Sequence, residues 1–372
     1  MNTQKLRALP YIVPLFPFDI IVAVCLLVAS VVAAVYDRRF FRPRYPKTGG
    51  HRPPLQQKIA TIQILNWNGR DLLRQCLPSV IDAVRLAGGG HKILLVDNGS
   101  TDGSVELTRQ EFPQVHILEL DRNYGFIGGN NRGVQTVDTE FVVFLNNDMI
   151  VDRNFLRPLI DGFTDDSVFA VTSQIFLEDS SRRREETGKT RAKFERGFFE
   201  VWHEEIDAKD EKRETIPVFW AGGGSCAFDR AKYLELGGLD ELYAPFYLED
   251  TDLSYRAWKR GWKCLLAPAS RVIHKHRATS SRTFSHRFVD NTIRRNLYLF
   301  IWKNIRDVQM LLGHIINLPR IHGRSIMNNG GAFEVQAYMR AVVKMPMAIL
   351  RRIGQTPQGC ASDRDVIAGS RQ

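Results

Sequence analysis

The stretch Phe141-Val142-Val143-Phe144-Leu145-Asn146-Asn147-Asp148 governs how the rest of the chain is read. Its apolar run, rich in valine and phenylalanine, has the composition of a strand buried on both faces, and it stops abruptly at polar residues. The same pattern occurs upstream in Lys92 to Val96, which runs into Asp97-Asn98-Gly99-Ser100-Thr101-Asp102-Gly103-Ser104, and again in Ile59 to Leu65. A shorter apolar run covers Val115 to Leu118. Helix-like stretches separate them: Asp71 to Leu86, Ser104 to Glu111 and the region after Gly128. Strands alternating with helices predict an α/β domain whose largely parallel sheet is covered on both faces. Ligands of such sheets bind beyond the carboxyl ends of the strands, which is where Asp97 and Asp148 fall.

The chemistry of those strand ends is specific. A carboxylate at Asp97 can accept hydrogen bonds from the base or ribose of a nucleotide, and Asn98 and Asp102 lie in the same turn. Asp102 equally suits a cap for the helix starting near Ser104. Asp148, with Asn146 and Asn147 beside it, offers the oxygen ligands that a hard divalent cation such as Mg or Mn prefers when it holds a diphosphate. Between these strands, Asn123-Tyr124-Gly125-Phe126-Ile127-Gly128-Gly129-Asn130-Asn131-Arg132-Gly133 supplies glycines for close backbone approach. Asn123 and Asn130 supply amides that can orient a ligand. Neither G-x-G-x-x-G nor G-K-[ST] occurs in it, so dinucleotide and P-loop readings are weak.

Farther along, Trp220-Ala221-Gly222-Gly223-Gly224-Ser225-Cys226 precedes Phe246-Tyr247-Leu248-Glu249-Asp250-Thr251-Asp252. Three acids within four residues raise one another's pKa when buried together, and a fixed carboxylate can take the proton of an attacking hydroxyl. Asp250 and Glu249 are the candidates for that task. Gly223, Gly224 and Asp252 are candidates for acceptor or phosphate contacts. The same acids also suit the first turn of a helix, where the dipole favours negative charge. Val272-Ile273-His274-Lys275-His276 ends another apolar run, and His274, with His276 as its competitor, can complete a divalent-metal site.

The amino-terminal segment Ile20 to Tyr36 carries no charge, and apolar residues extend it back to Tyr11 with Asp19 the one interruption. That is long enough to cross a bilayer. Arg38, Arg39, Arg42, Arg44 and Lys47 follow it, against Lys5 and Arg7 before it. The positive-inside rule then predicts a single-pass anchor, an outward amino terminus and a cytoplasmic catalytic domain. The chain has 372 residues and a net charge of +10, which suits nucleic acid, an anionic membrane or a phosphorylated substrate. A basic stripe interleaved with aromatics is missing, which argues against nucleic acid. Five cysteines without a C-x-x-C pair suggest neither a disulfide scaffold nor a zinc cluster.

Taken in order, Asn66-Trp67-Asn68-Gly69, Val96 to Asp102, Asn123 to Gly133, Leu145 to Asp148, Gly222 to Cys226 and Leu248 to Leu253 resemble the family 2 glycosyltransferases with the GT-A fold. Within them, the likeness is to rhamnosyl- and galactofuranosyl-type enzymes of bacterial cell-surface polysaccharide synthesis. The resemblance implies an inverting single displacement from a nucleotide-diphosphate sugar, dTDP-rhamnose among the donors, to a lipid-linked or glycan acceptor, with a divalent ion. It further implies donor contacts at Asn66, Asp97, Asn98, Asp102, Asn123, Gly128, Asn130 and Asn147. Asp148 takes the second acidic position of the D-x-D motif and Asp250 the base, while Asn146 replaces the first acid and leaves the ion one charge short. Arg294-Arg295-Asn296 is similar to the family's acceptor-proximal segment, which brings in Arg295. The implied layout is an anchor over 1–40, a linker over 41–57, a mostly parallel GT-A sheet domain over 58–307, amphipathic membrane-proximal helices over 308–355 and a polar tail over 356–372. The charged stretch from Glu178 to Glu214 reads as a solvated loop or flap. The rival from another class is an inactive membrane-anchored sugar-nucleotide-binding or scaffold protein.

Overall fold

The computed structural model describes residues 10–40, 58–178, 187–274, 284–355 and 361–369. They divide into two compact units, one holding described residues within 58–192, 201–284 and 368–369, the other those within 10–40, 193–200 and 285–367.

In the first unit, strands β1 (Ala60–Asn66), β2 (Lys92–Asp97), β3 (His116–Glu119) and β4 (Phe141–Asn146) alternate with helices α2 (Arg70–Ala87), α3 (Ser104–Glu111) and α4 (Gly125–Thr136). After β4 come β5 (Met149–Val151), α5 (Leu156–Asp161), β6 (Val168–Leu177), β9 (Ile216–Pro217), β10 (Ser225–Asp229), α6 (Arg230–Glu235), α7 (Glu249–Lys259) and β11 (Lys263–His274). The nine-stranded sheet runs β3-β2-β1-β4-β10-β6-β11-β5, with β9 paired to β11. Neighbours β3, β2, β1 and β4 are parallel. Strand β10 inserts antiparallel between β4 and β6, and β6 runs parallel to β11.

Alternation along β1 shows how the layers are dictated. Ala60, Ile62 and Ile64 enter an apolar cluster with Leu73, Leu77 and Val80 of α2. Gln63, on the other face, donates from Nε2 to Asn130 Oδ1 at 2.9 Å on α4. Helix α4 can lie that close because of its glycines: a Cβ at Gly133 would stand 2.4 Å from Gln63 Oε1, and one at Gly129 2.5 Å from Leu65.

The stretch expected to be a charged loop contains a two-stranded sheet of β7 (Thr190–Glu195) and β8 (Phe198–His203). Its charges had hidden it. Lys189 pairs with Asp210 at 2.6 Å and Arg191 with Glu204 at 3.0 Å, so they are matched within the fold rather than left in solvent. Residues 179–186 of that stretch, and His276, lie outside the described residues.

The second unit holds α1 (Phe16–Phe40), preceded by a 3-10 turn at Val13–Leu15, and α8 (His286–Asn304), α9 (Val308–Asn329), α10 (Gly331–Gly354) and α11 (Asp363–Gly369). Among the described residues one helix is long and apolar enough to cross a membrane, over Pro10–Val32 with a mean hydropathy of 2.6. Two expectations need correction. Helix α8 groups with the helical unit and not with the sheet, Tyr298 and Trp302 packing on Tyr338 of α10. The tail is not wholly irregular either: Asp363 opens α11 and accepts hydrogen bonds from the Arg306 and Asp307 amides.

Candidate functional site

The strand register brings three polar residues level. Asn66 pairs with Asp97 across β1 and β2, and Leu65 with Asn146 across β1 and β4. Asn66, fully buried, donates to Asp97 Oδ1 at 3.2 Å and accepts from Asn147 Nδ2 at 2.8 Å, so it ties the ends of β1, β2 and β4 together. Asp97 Oδ2 accepts the Ser100 amide at 2.9 Å. Gly69 lies under this cluster, where a Cβ would come within 2.5 Å of both Asn147 and Asn66. The structure thus assembles Asn66, Asp97 and Asn147 as a rigid floor.

Other expected donor contacts turn out to be committed to the fold. Asn98 donates to Asn123 Oδ1 at 3.0 Å and Gly125 O at 3.1 Å, and accepts the Tyr124 amide at 2.9 Å. It shapes the loop that carries Asn123. Asn123 Oδ1 also accepts the Gly125 amide at 2.7 Å. Asn130 bonds Gln63 and Phe126 O, and Gly128 packs against Tyr124. Asp102 accepts from the Arg70 and Ser104 amides and the Ser104 hydroxyl. Partial burial opposes its ionisation, but those bonds outweigh it and hold the carboxyl below its usual range. Asp102 therefore fastens the starts of α2 and α3 through their first amides.

Asp148 and His274 come from distant parts of the chain. Strand β5 pairs antiparallel with β11, placing His274 opposite Met149. His274 Nε2 lies 3.4 Å from Asp148 Oδ2, and both residues are buried. Asp148 Oδ1 is buried with no hydrogen-bond partner among the described residues. A buried carboxylate oxygen left so is costly unless something outside the chain meets it. Asn146 sits at the same strand end, its amide donating to Gly224 O at 2.9 Å. No group of three or more metal-ligating side chains occurs among the described residues.

Gly224 connects this end to the acidic cluster. The neighbouring Gly223 amide donates to Asp250 Oδ2 at 3.2 Å, and Thr251 donates to Asp250 Oδ1 from its amide at 2.6 Å. A Cβ on Gly223 would stand 3.1 Å from the Phe126 ring. Just before α7, Tyr247 and Leu248 both take positive φ, 69° and 72°, a conformation that non-glycine residues adopt only where the surroundings impose it. The three acids that follow have different environments. Asp252 accepts from Tyr243 OH at 2.9 Å and Arg256 Nε at 2.8 Å, and Arg256 also donates to Leu236 O and Gly238 O. It forms a buried ion pair with Arg256. Glu249 is buried, its Oε2 has no partner among the described residues, and burial followed by the Asp250 charge pushes its carboxyl well above the usual range. Asp250 is half-buried, and burial raises its carboxyl too, against the hydrogen bonds from Gly223 and Thr251. Sequence reasoning did not find Thr251, Tyr243 or Arg256, whose roles arise only through contacts.

Arg295 lies in the helical unit, buried on α8, where its guanidinium donates to Asn296 Oδ1 at 2.8 and 2.9 Å.

Comparison with known proteins gives a consistent picture. Residues 61–236 match the model described as Glycosyl transferase family 2. An N-acetylglucosaminyl-diphospho-decaprenol L-rhamnosyltransferase of Mycobacterium tuberculosis is 26% identical over 210 residues, 51% of this chain and 67% of that protein. A putative polypeptide N-acetylgalactosaminyltransferase 10 of Drosophila melanogaster is 27% identical over 197 residues, 49% of this chain and only 30% of its own length. Among solved structures, GalNAc-T7 with UDP, GalNAc and Mn2+ superposes with a TM-score of 0.49 at 20% identity, covering 73% of this chain and 55% of that one. A mannosyltransferase of Pyrobaculum calidifontis with GDP-Man and Mn2+ gives 0.49 at 16% identity, covering 88% and 86%.

Proposed function

We propose that the chain, whose residues 61–236 match the model described as Glycosyl transferase family 2, transfers a sugar from a nucleotide-diphosphate sugar, with inversion, to a lipid-linked acceptor at the cytoplasmic face of a membrane. The observation that carries this is the link from Asp148, with its buried unpartnered oxygen, through the Asn146–Gly224 hydrogen bond to Gly223 and Asp250. A diphosphate site and a proton acceptor are thereby held by one strand end.

Asn66, Asp97 and Asn147 form the floor for the nucleotide. Asp148, His274 and Asn146 suit a divalent ion: one carboxylate, one imidazole and one amide leave coordination positions for diphosphate oxygens. Such an ion would stabilise charge developing on the departing diphosphate. Asp250, held by the Gly223 and Thr251 amides, accepts the proton of the acceptor hydroxyl. As the acceptor oxygen bonds to the anomeric carbon, the bond from that carbon to the diphosphate breaks and its electron pair leaves with the phosphate. Attack opposite the leaving group inverts the anomeric centre. Burial pushes the Glu249 carboxyl well above the usual range. It is less suited to accept that proton because, among the described residues, no other residue's backbone amide orients it as Gly223 and Thr251 orient Asp250. A rhamnosyl donor of the dTDP type and a polyprenyl-diphosphate-linked sugar acceptor are favoured by the mycobacterial relative, of which 67% is covered. A role in cell-surface polysaccharide synthesis follows from that acceptor.

The test is a donor panel: purified protein, Mg or Mn, candidate nucleotide sugars and a polyprenyl-diphosphate glycolipid, with released nucleoside diphosphate as the readout. One donor should be consumed, and both chelator and Asp148→Ala should abolish its consumption. Wild-type protein that consumes none of the donors contradicts the proposal. Equal donor affinity in wild type and Asp148→Ala, with and without chelator, removes Asp148 from the metal site.

A further inference from the structure

We infer that α1, α9 and α10 form a single lipid-facing platform lying in the plane of an anionic membrane, and that α1 does not cross the membrane as a lone anchor. The amino terminus then stays on the cytoplasmic side. This does not depend on the transferase reading, because it concerns the position of the protein and not its chemistry.

Helix α1 buries one line of residues, Leu15, Asp19, Val22, Leu26 and Ala29, spaced three or four apart. Its partners fix its course. The Tyr11 ring lies against Gly331, at the start of α10, where a Cβ would stand 2.4 Å from it. Asp19 Oδ1 accepts from Tyr338 OH at 2.6 Å, and Ser30 Oγ accepts from Arg352 Nη2 at 3.1 Å near the end of α10. Helix α1 therefore runs beside α10 for about 30 Å, the thickness of the hydrocarbon core. On its other flank, Ile12 lies near Gly323 of α9, and Asp19 Oδ1 is 3.1 Å from His322 Nε2.

If α1 crossed the bilayer, these neighbours would cross with it. Asp19 lies near the middle of the apolar window Pro10–Val32, so His322 would sit at the bilayer centre. Two residues to either side of His322 are Arg320 and Arg324, and both are exposed. An arginine at that depth costs roughly 2.5–3.5 kcal/mol on insertion scales, and more by other estimates, and Glu200, 3.9 Å from Arg324, would be carried in with it. Lying in the plane removes the conflict. The charged groups then reach the headgroups, and the apolar sides face the acyl chains.

The exposed surface has the composition this requires. On α1, Val24, Val28 and Val31 are 55%, 56% and 64% exposed. On α9, Leu312 and Ile316 follow at helical spacing, and on α10 so do Val343, Met347 and Leu350. Both helices pack against α1, the most apolar helix of the chain. Arg320, Arg324 and Arg351 are exposed on the same helices, so the matching partner is an anionic lipid surface.

The test uses the full chain with an epitope tag before Met1, expressed in bacteria and recovered in sealed inside-out vesicles. Protease added outside should remove the tag; a tag that survives until detergent is added overturns the inference and restores the crossing helix. In parallel, Ile316→Glu combined with Val343→Glu, at positions 75% and 78% exposed, should raise the fraction released by high-salt washing several-fold. Unchanged retention in the membrane pellet overturns the part given to α9 and α10. An unaltered thermal midpoint in detergent separates either outcome from misfolding.

Discussion

The helical unit and the sheet unit both bury carboxylates, and they treat them in opposite ways. In the helical unit, Glu334 accepts from Arg294 Nε at 2.9 Å and Tyr298 OH at 2.5 Å, and faces His322 Nδ1 at 2.8 Å. His322 reaches Asp19 with its other ring nitrogen. Two acids are met by two bases and two phenols, and of the four carboxylate oxygens Asp19 Oδ2 alone lacks a hydrogen bond among the described residues. In the sheet unit, Asp148 and Glu249 each keep one buried oxygen with no such partner among the described residues, while Asp250 is half-buried. Matched interior charge holds elements together. Unmatched charge at strand ends costs stability and is ready for a ligand or a proton.

Breaking the matched set should have the largest effect on folding. Glu334→Ala leaves Arg294 and His322 without their carboxylate in the interior and should cost about 3–5 kcal/mol, read as a lowered denaturation midpoint in detergent. A midpoint within error of wild type would remove the distinction between the two regions. Asp252→Ala, which strands Arg256 in the sheet unit, should behave in the same way, since Asp252 is also matched. The cap at Asp102 is a smaller case. Asp102→Ala should cost about 0.5–2 kcal/mol and change donor affinity only as far as the fold loosens, as calorimetry with the donor would show.

The smallest effect is expected at the unmatched Glu249. Its raised pKa means that folding favours the protonated form. That contribution is fully present below the unfolded value and is lost as pH rises through the folded one. Glu249→Gln mimics the neutral acid, so it should flatten the fall in stability on the alkaline side and leave turnover within about three-fold. A loss of about 10²-fold or more, the range of positioned acid–base groups, would move the proton acceptor to Glu249.

Much of the sheet was legible because its strands are short apolar runs ending in polar residues. The α/β alternation, the strand ends at Asp97 and Asp148 and the helix following Leu248 all appear where the pattern puts them. The antiparallel insertion of β10 was not legible, since Ser225–Asp229 carries no pairing signal of its own. Side-chain amides were the weakest part of the reading. Nothing in the sequence separates Asn66, which ties three strands at the site floor, from Asn98 and Asn130, which are consumed by a loop and by Gln63. The amide chemistry is the same and only the neighbours differ. The helical unit was hidden for a related reason. Composition showed an apolar helix, but its partners His322 and Tyr338 lie about 300 residues away.

The central claim is that one half-buried carboxylate at the start of α7 takes the proton while the neighbouring strand ends hold the donor. It is tested most directly by measuring donor affinity and transfer rate on Asp250→Asn in the same preparation. Donor affinity should stay near wild type and turnover should fall by roughly 10²- to 10⁴-fold. In the wild type the acid limb of kcat/KM should lie above the ordinary carboxylate range, because burial raises Asp250. Transfer at the wild-type rate by Asp250→Asn, with donor affinity unchanged, would contradict the claim.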